Sequence, residues 1–356
     1  MTQIVTDPKA PKESTDYIYA ERMEPFEERM NFFLNKKIEV NKDKVADKDK
    51  GEIDGLESLL ERFSSYQSTK VAGMEENVAV DGTEGIGLST YKGLIDLLVQ
   101  LAKDAATWII DFATNRVRRV DNRLFRVNLE RKRSGLTSRE VPYPAGIRRL
   151  ITPSKVSADP GWVSVALSDV HTWYKGTIKA YRYLVSEIKD HGENFDLLRG
   201  MNNTIDAAAS LMGMQRVQGG YQSIVLPGNR HFVLDNVTDT VSDQIGLYFS
   251  DSTIDTRLKA KKFTPTSFMV DKTLKQIKDM VKEIQSNQST VSQLIRQFEK
   301  QAKAFERDSG ARITPAQRRY FNWLIRFNRR LMNLSIQYTI NSMDAGLDFC
   351  QAGINK

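Results

Sequence analysis

The sequence has very few residues of the kinds that form disulfides or hold metals. Its one cysteine, Cys350, has no partner for an internal disulfide and cannot supply the thiolates of a structural zinc site. The three histidines, His171, His191 and His231, are far apart and match no metal-binding or catalytic spacing. We therefore expect no metal and no cofactor, and we interpret Cys350 as a buried apolar residue.

Long uncharged apolar runs are also missing. The most apolar stretch, residues 86–112, is interrupted by five charged residues, Lys92, Asp96, Lys103, Asp104 and Asp111. A helix that spans a membrane needs about twenty residues with almost no charge. The first residues show no charged-then-apolar signal segment. The sequence therefore predicts an intracellular protein in which this stretch forms an amphipathic helix.

Motifs of catalysis are absent from the sequence as well. There is no phosphate-binding loop of the Walker type, no nucleophile elbow and no zinc-protease motif. We therefore expect no catalytic residues and a protein that is not an enzyme. An enzyme without a recognisable motif stays an alternative.

Charge is distributed very unevenly along the chain. Residues 1–84 contain 12 Lys and Arg against 19 Asp and Glu, a net charge of −7. The remainder, residues 85–356, contains 40 basic and 26 acidic residues, a net charge of +14. An acidic leader joined to a strongly basic body indicates a polyanionic partner for the body.

Apolar periodicity predicts a mainly α fold, an elongated helical bundle with a C-terminal antiparallel helical hairpin and one small β-hairpin. A long helix starts near Leu88 and continues through a basic segment to Gly135, and further helices are expected at 164–190 and 194–213. The β-hairpin is expected near 222–235, around Pro227-Gly228-Asn229. We divide the chain into the partly helical, flexible leader 1–84, a basic helical domain 85–265 and the helical hairpin 266–356.

The C-terminal hairpin has the clearest pattern. Apolar residues alternate by three and four from Leu274 to Phe305, with Gln288 as a polar member. Ser309-Gly310 ends this helix, and Thr314-Pro315 provides an N-cap and a first-turn proline for the next. The two apolar seams can pack inside the chain or form an intermolecular coiled coil.

A basic cluster in the first long helix is the strongest functional signal. The arginine cluster, as we call it, consists of Arg116, Arg118, Arg119, Arg123, Arg126, Arg131, Lys132 and Arg133. Arginine suits bidentate contacts with phosphate and stays charged at all relevant pH values. Two further basic clusters follow, at 257–262 and at 318–330, the latter interleaved with aromatic residues. The clusters predict non-specific binding to the backbone of double-stranded DNA. An anionic membrane or an acidic protein is an alternative partner, and some of these arginines can instead pair with acids of the chain itself.

The layout resembles that of the internal head proteins of large tailed bacteriophages. In that family, an acidic propeptide is cut off by a prohead protease after a small residue, any residue and glutamate. Three sites fit this pattern: Gly82-Thr83-Glu84, which we prefer, and the alternatives Gly73-Met74-Glu75 and Gly55-Leu56-Glu57. The helix YKGLIDLLVQL, its arginine-rich continuation and the LPGN hairpin are similar to such virion proteins too.

The resemblance implies a structural protein made in the host cytoplasm and packaged inside the capsid, in some members ejected with the DNA. Its implied partners are double-stranded DNA, the prohead protease, other capsid or core proteins and copies of itself. Two alternatives remain: an oligomeric scaffold for assembly, and an ejected protein whose 88–112 helix inserts into membranes.

Overall fold

The computed structural model describes residues 88–153, 159–187, 194–238, 245–254, 261–308 and 314–355. The predicted leader 1–84 and its cleavage sites Glu57, Glu75 and Glu84 lie outside these residues. Residues Tyr91–Lys356 belong to one compact unit. The domain boundaries drawn from the sequence stay predictions.

The described fold is predominantly α-helical, as the periodicity predicts. Its helices are α1 (Leu88–Ser134), α2 (Trp162–Ser186), α3 (Leu197–Leu211), α4 (Ser267–Asp308) and α5 (Pro315–Ala352), with a short 3₁₀ helix at Ala145–Leu150. The expected continuation of the first helix into the basic segment is confirmed. That helix stops where Gly135 adopts a positive φ of 69° and donates its N–H to the carbonyl of Arg131 at 2.9 Å.

Helices α1 and α4 run antiparallel in a fixed register. Arg131 near the end of α1 pairs with Asp271 near the start of α4. Lys103, 28 residues before Arg131 on α1, pairs at 3.1 Å with Glu299, which lies 28 residues after Asp271 on α4. Equal steps in opposite directions show that the two helices stay aligned over about 40 Å, given a rise of about 1.5 Å per residue.

The predicted C-terminal helical hairpin is confirmed. Thr314 and Gln317 form a capping box at the start of α5, with each side chain bonded to the other residue's backbone N–H, at 3.2 and 2.9 Å. Near the far end, the Cys350 thiol lies 3.9 Å from the carbonyl of Val270. The start of α4 therefore lies beside the end of α5, as an antiparallel pair requires.

The apolar seam of α4 packs inside this chain. The members Leu274, Ile277, Val281, Ile284, Val291 and Phe298 are all buried. The polar member, Gln288, donates a hydrogen bond to the hydroxyl of Thr114 on α1 at 3.1 Å. Of the two uses expected for the seam, the structure shows the intramolecular one.

Helix α5 is the central element. Every residue from Tyr320 to Cys350 is buried or half-buried, although the helix carries many polar side chains. Its neighbours surround it: Asp344 faces Arg123 of α1, Tyr338 faces Trp173 of α2, Tyr320 bonds Thr204 of α3, and Cys350 faces Val270 of α4. A helix enclosed on all sides has no solvent face, so its polar residues have to find partners within the protein.

The β-structure is more extensive than one hairpin. Four antiparallel strands form a sheet in the order β2 (Gln215–Val217), β3 (Gly220–Gln222), β4 (Arg230–Asp235) and β5 (Leu247–Asp251), and β1 (Val141–Pro142) pairs with β6 (Lys262–Phe263). The predicted turn is present, with positive φ at Gly228 and Asn229 and a bridge between Leu226 and Arg230. The prediction missed the other strands because segments of two to five residues are too short to show an alternating pattern.

The sheet packs on the helices through an aromatic cluster. The Trp173 ring lies 5.2 Å from the rings of both Phe232 on β4 and Tyr338 on α5, measured between centroids. The Tyr338 hydroxyl donates to the carbonyl of Pro227 at 2.8 Å. The predicted turn is thereby fixed to the central helix.

Candidate nucleic-acid interface

The arginine cluster occupies the last five turns of α1. The opposite face of this segment is buried as expected, with Val117, Val120, Leu124 and Val127 at most 4% exposed. Within the cluster, Arg118, Arg119, Arg126, Lys132 and Arg133 are exposed, whereas Arg116, Arg123 and Arg131 are half-buried. Helical spacing predicts that Arg116, Arg119, Arg123 and Arg126 share one face of α1. On this face Arg119 and Arg126 are exposed, whereas Arg116 and Arg123 are half-buried.

Arg123 is held by two carboxylates of the central helix. Its guanidinium lies 3.2 Å from Asp344 Oδ1, pairs with Asp348, and lies 3.3 Å from Gln351 Oε1. Asp344 is buried, and its other oxygen is 3.4 Å from the guanidinium of Arg119. Burial works to lower the pKa of Arg123, but hydrogen bonds and charge from Asp348 and Asp344 raise it above its ordinary value.

Two other members of the cluster also contact protein groups. Arg131 pairs with Asp271 and so joins the end of α1 to the start of α4. Arg116 lies over the ring of Phe112, with 5.5 Å between its guanidinium carbon and the ring centroid. These contacts, together with those of Arg123, give part of the predicted DNA-binding cluster a structural role.

The exposed members continue into a basic end of the bundle. Arg139 is exposed just beyond α1, and exposed Lys261 and Lys262 are brought beside the 141–143 segment by the pairing of β1 with β6. Glu130 and Glu140 are exposed acids in the same region. Basic residues outnumber these acids, so this end of the molecule has a positively charged surface.

The cluster at 318–330 does not form a basic surface, which corrects the interpretation from sequence. Arg326 is buried, and Arg330 is half-buried with its Nε donating to the carbonyl of Leu247 at 3.0 Å. The interleaved aromatic residues Tyr320, Phe321, Trp323 and Phe327 are core residues, at most 4% exposed. Arg319 is exposed, and the side chain of Arg318 lies outside the described part, as do Arg257 and Lys259 of the second cluster.

The remaining candidates for chemistry have packing roles where the structure describes them. His171 Nδ1 lies 3.1 Å from the amide nitrogen of Gln276, and burial lowers the pKa of this histidine. Burial raises the pKa of the Cys350 thiol, which keeps it protonated. Within the described ranges, no group of three or more potential ligands is placed to hold a metal ion.

Two partners of the cluster could not be found from the sequence. Asp344 and Asp348 lie more than 200 residues away from Arg123, and nothing local in the sequence marks them as its partners. The exposure of Phe125, in contrast, could be predicted from the local sequence, because this residue falls outside the apolar stripe of α1. It is 69% exposed.

Comparisons with known proteins find no relative. No protein-family model matches the chain, and no curated protein or solved structure matches it either. Among the helices described, none is long and apolar enough to cross a membrane.

Proposed function

We propose that this protein is a non-enzymatic structural component of a bacteriophage virion, packaged inside the capsid. In this proposal its basic helical body binds double-stranded DNA without sequence preference once an acidic N-terminal propeptide has been removed. The observation that carries the proposal is the change of net charge from −7 to +14 across residues 84 and 85. The exposed arginines and lysines at the end of α1 support it, because their side chains are available to phosphates.

The proposal predicts a specific pattern of salt dependence. The body 85–356 should bind duplex DNA of any sequence, with log affinity falling linearly as log salt rises. Changing four exposed residues to glutamine, Arg118→Gln, Arg126→Gln, Lys132→Gln and Arg133→Gln, should weaken binding and reduce the slope by about 0.9 for each phosphate that is no longer neutralised. Fluorescence anisotropy at several salt concentrations measures both quantities.

A matched control separates a local site from overall charge. The variant with Lys175→Gln, Lys179→Gln, Arg199→Gln and Arg216→Gln removes the same charge from exposed positions on α2, α3 and β2. It should retain most of the slope. Equal losses in the two variants would contradict a site on α1, and no binding at low salt would contradict DNA binding itself.

The proposal also predicts where the mature chain begins. Cutting after Glu84 changes the net charge of the product from +7 to +14 and so increases its attraction to DNA. Glu57 and Glu75 are weaker choices. The sequence predicts a short helix from about Leu56 to Phe63, which includes Glu57, and a cut at Glu75 leaves further acids on the product. Mass spectrometry of the protein from its native particle should find Gly85 as the N-terminus. An intact Met1 or Thr2 terminus would show that the leader is retained.

A further inference from the structure

Two phenylalanines are strongly exposed on neighbouring helices. Phe125 of α1 is 69% exposed and Phe268 of α4 is 73% exposed, the highest values among the described large apolar residues. Exposing a phenyl ring to water is unfavourable. An exposed ring on a basic helix face does not make the protein more soluble either. The ammonium of Lys272 lies 5.9 Å from the centroid of the Phe268 ring, so a cation accompanies this ring.

The antiparallel register fixes the levels of the two rings along the helix axes. Thr114 contacts Gln288 and Arg131 contacts Asp271, so each step along α1 is matched by an opposite step along α4. Phe125 is therefore level with residues 277 and 278 of α4. Phe268 stands nine to ten residues before that level, which separates the two rings by about 14 Å along the axis.

Exposed basic residues surround the rings on both helices. They are Arg118 and Lys132 on α1, and Lys272, Lys275, Lys278 and Lys282 on α4. Four acids lie on the same stretches of α1 and α4: Asp121, Glu130 and Asp279, which are exposed, and Asp271, which is paired with Arg131. These exposed stretches of α1 and α4 carry more basic than acidic residues, and each carries one exposed aromatic ring.

Alternation of cations and aromatic rings fits one ligand better than others. A duplex keeps its base faces stacked inside and offers phenyl rings no partner, whereas a single strand offers both phosphates and free base faces. We infer that these exposed faces of α1 and α4 bind single-stranded DNA, with phosphates on the basic residues and bases stacked on Phe125 and Phe268. This inference rests on the proposed DNA-binding function and adds a second mode of binding to it.

The experiment compares the binding of two single-stranded probes to the body 85–356, which is the DNA-binding form in the proposed function and contains the compact unit Tyr91–Lys356. A 20-nucleotide thymidine oligonucleotide carries phosphates and bases, and an abasic oligonucleotide of equal length carries the phosphates alone. The protein should bind the first about 100-fold more tightly, on the basis of roughly 10-fold for each stacked ring. The variant with Phe125→Ala and Phe268→Ala should lose this preference while binding the abasic probe with unchanged affinity.

Two controls make the result specific. Ile224→Ala with Ile254→Ala removes exposed apolar surface elsewhere, from residues 60% and 50% exposed, and should keep the preference. Phe125→Trp with Phe268→Trp should also keep it, since tryptophan stacks on bases too. Equal affinity of the native protein for the two probes would overturn the inference even if duplex DNA is bound. Failure of the body 85–356 to bind the duplex and both single-stranded probes alike would instead overturn the proposed function.

Discussion

Replacing Arg123 by methionine should lower the free energy of unfolding by about 3 kcal/mol, because a buried carboxylate would lose its main cationic partner. Asp344 has a side chain only 11% exposed, and Arg123 is the partner that also reaches Asp348. Methionine keeps most of the length and the apolar contacts of arginine, so the change removes mainly charge and hydrogen bonds. Chemical denaturation followed by circular dichroism measures the effect.

The matched control for this change lies three residues away. Arg126→Met makes the same substitution on the same helix, but Arg126 is exposed. We expect it to change the free energy of unfolding by no more than about 0.5 kcal/mol. Arg126→Met should weaken DNA binding more than Arg123→Met does, because an exposed side chain can reach phosphate. Equal destabilisation by both changes would contradict the structural role assigned to Arg123.

A second substitution tests the pairing itself. Asp344→Asn removes the charge that Arg123 neutralises, so combining it with Arg123→Met should cost less than the sum of the two single changes. The coupling energy from this double-mutant cycle should be on the order of 1–3 kcal/mol. Additive effects would mean that Asp348 and Gln351 hold Arg123 without help from Asp344.

Some members of the arginine cluster are exposed and others are held by carboxylates, and this difference decides which substitutions can test the proposed interface. The quadruple change that spacing alone suggests, at Arg116, Arg119, Arg123 and Arg126, would damage the fold while it removed phosphate contacts. Arg118, Arg126, Lys132 and Arg133 are the positions where charge can be removed with little effect on packing, since all four are exposed. A loss of DNA binding in that variant can therefore be attributed to the interface.

The sequence predicts the described helices well because their signals are local. Apolar residues every three or four positions are enough to place α1 and α4, and Thr314-Pro315 marks the start of α5 by the chemistry of its own first turn. The turn at Gly228 and Asn229 is equally local, because both residues adopt positive φ. Features of this kind need no knowledge of what packs against them.

Features that depend on distant contacts could not be predicted in the same way. The sequence around Arg326 shows a charged residue among aromatic ones, and this pattern is shared by surfaces that bind nucleic acid and by a buried helix whose charges are paired. Burial of α5 follows from the four helices and the sheet around it. The same holds for Arg123, because its partner Asp344 belongs to another helix.

Substituting aromatic residues tests most directly which of them are buried in the core and which are exposed to solvent. Phe327→Ala should lower the free energy of unfolding by about 4 kcal/mol, since it empties a site in the central helix where the side chain is 2% exposed. Phe125→Ala is the identical substitution at a residue that is 69% exposed, and it should change the free energy by no more than about 0.5 kcal/mol. Denaturation curves of the two variants measure the difference.

A milder change keeps this prediction testable if Phe327→Ala does not fold. Phe327→Leu retains most of the apolar volume and should cost about 1–2 kcal/mol, still more than Phe125→Leu. The neighbouring Trp323 ring, 5.0 Å from that of Phe327 between centroids, would report the loss through its fluorescence. If changes at residue 327 cost no more than those at 125, the aromatic residues between 320 and 327 would form an exposed face of α5, and the basic cluster there would return as a candidate site for DNA.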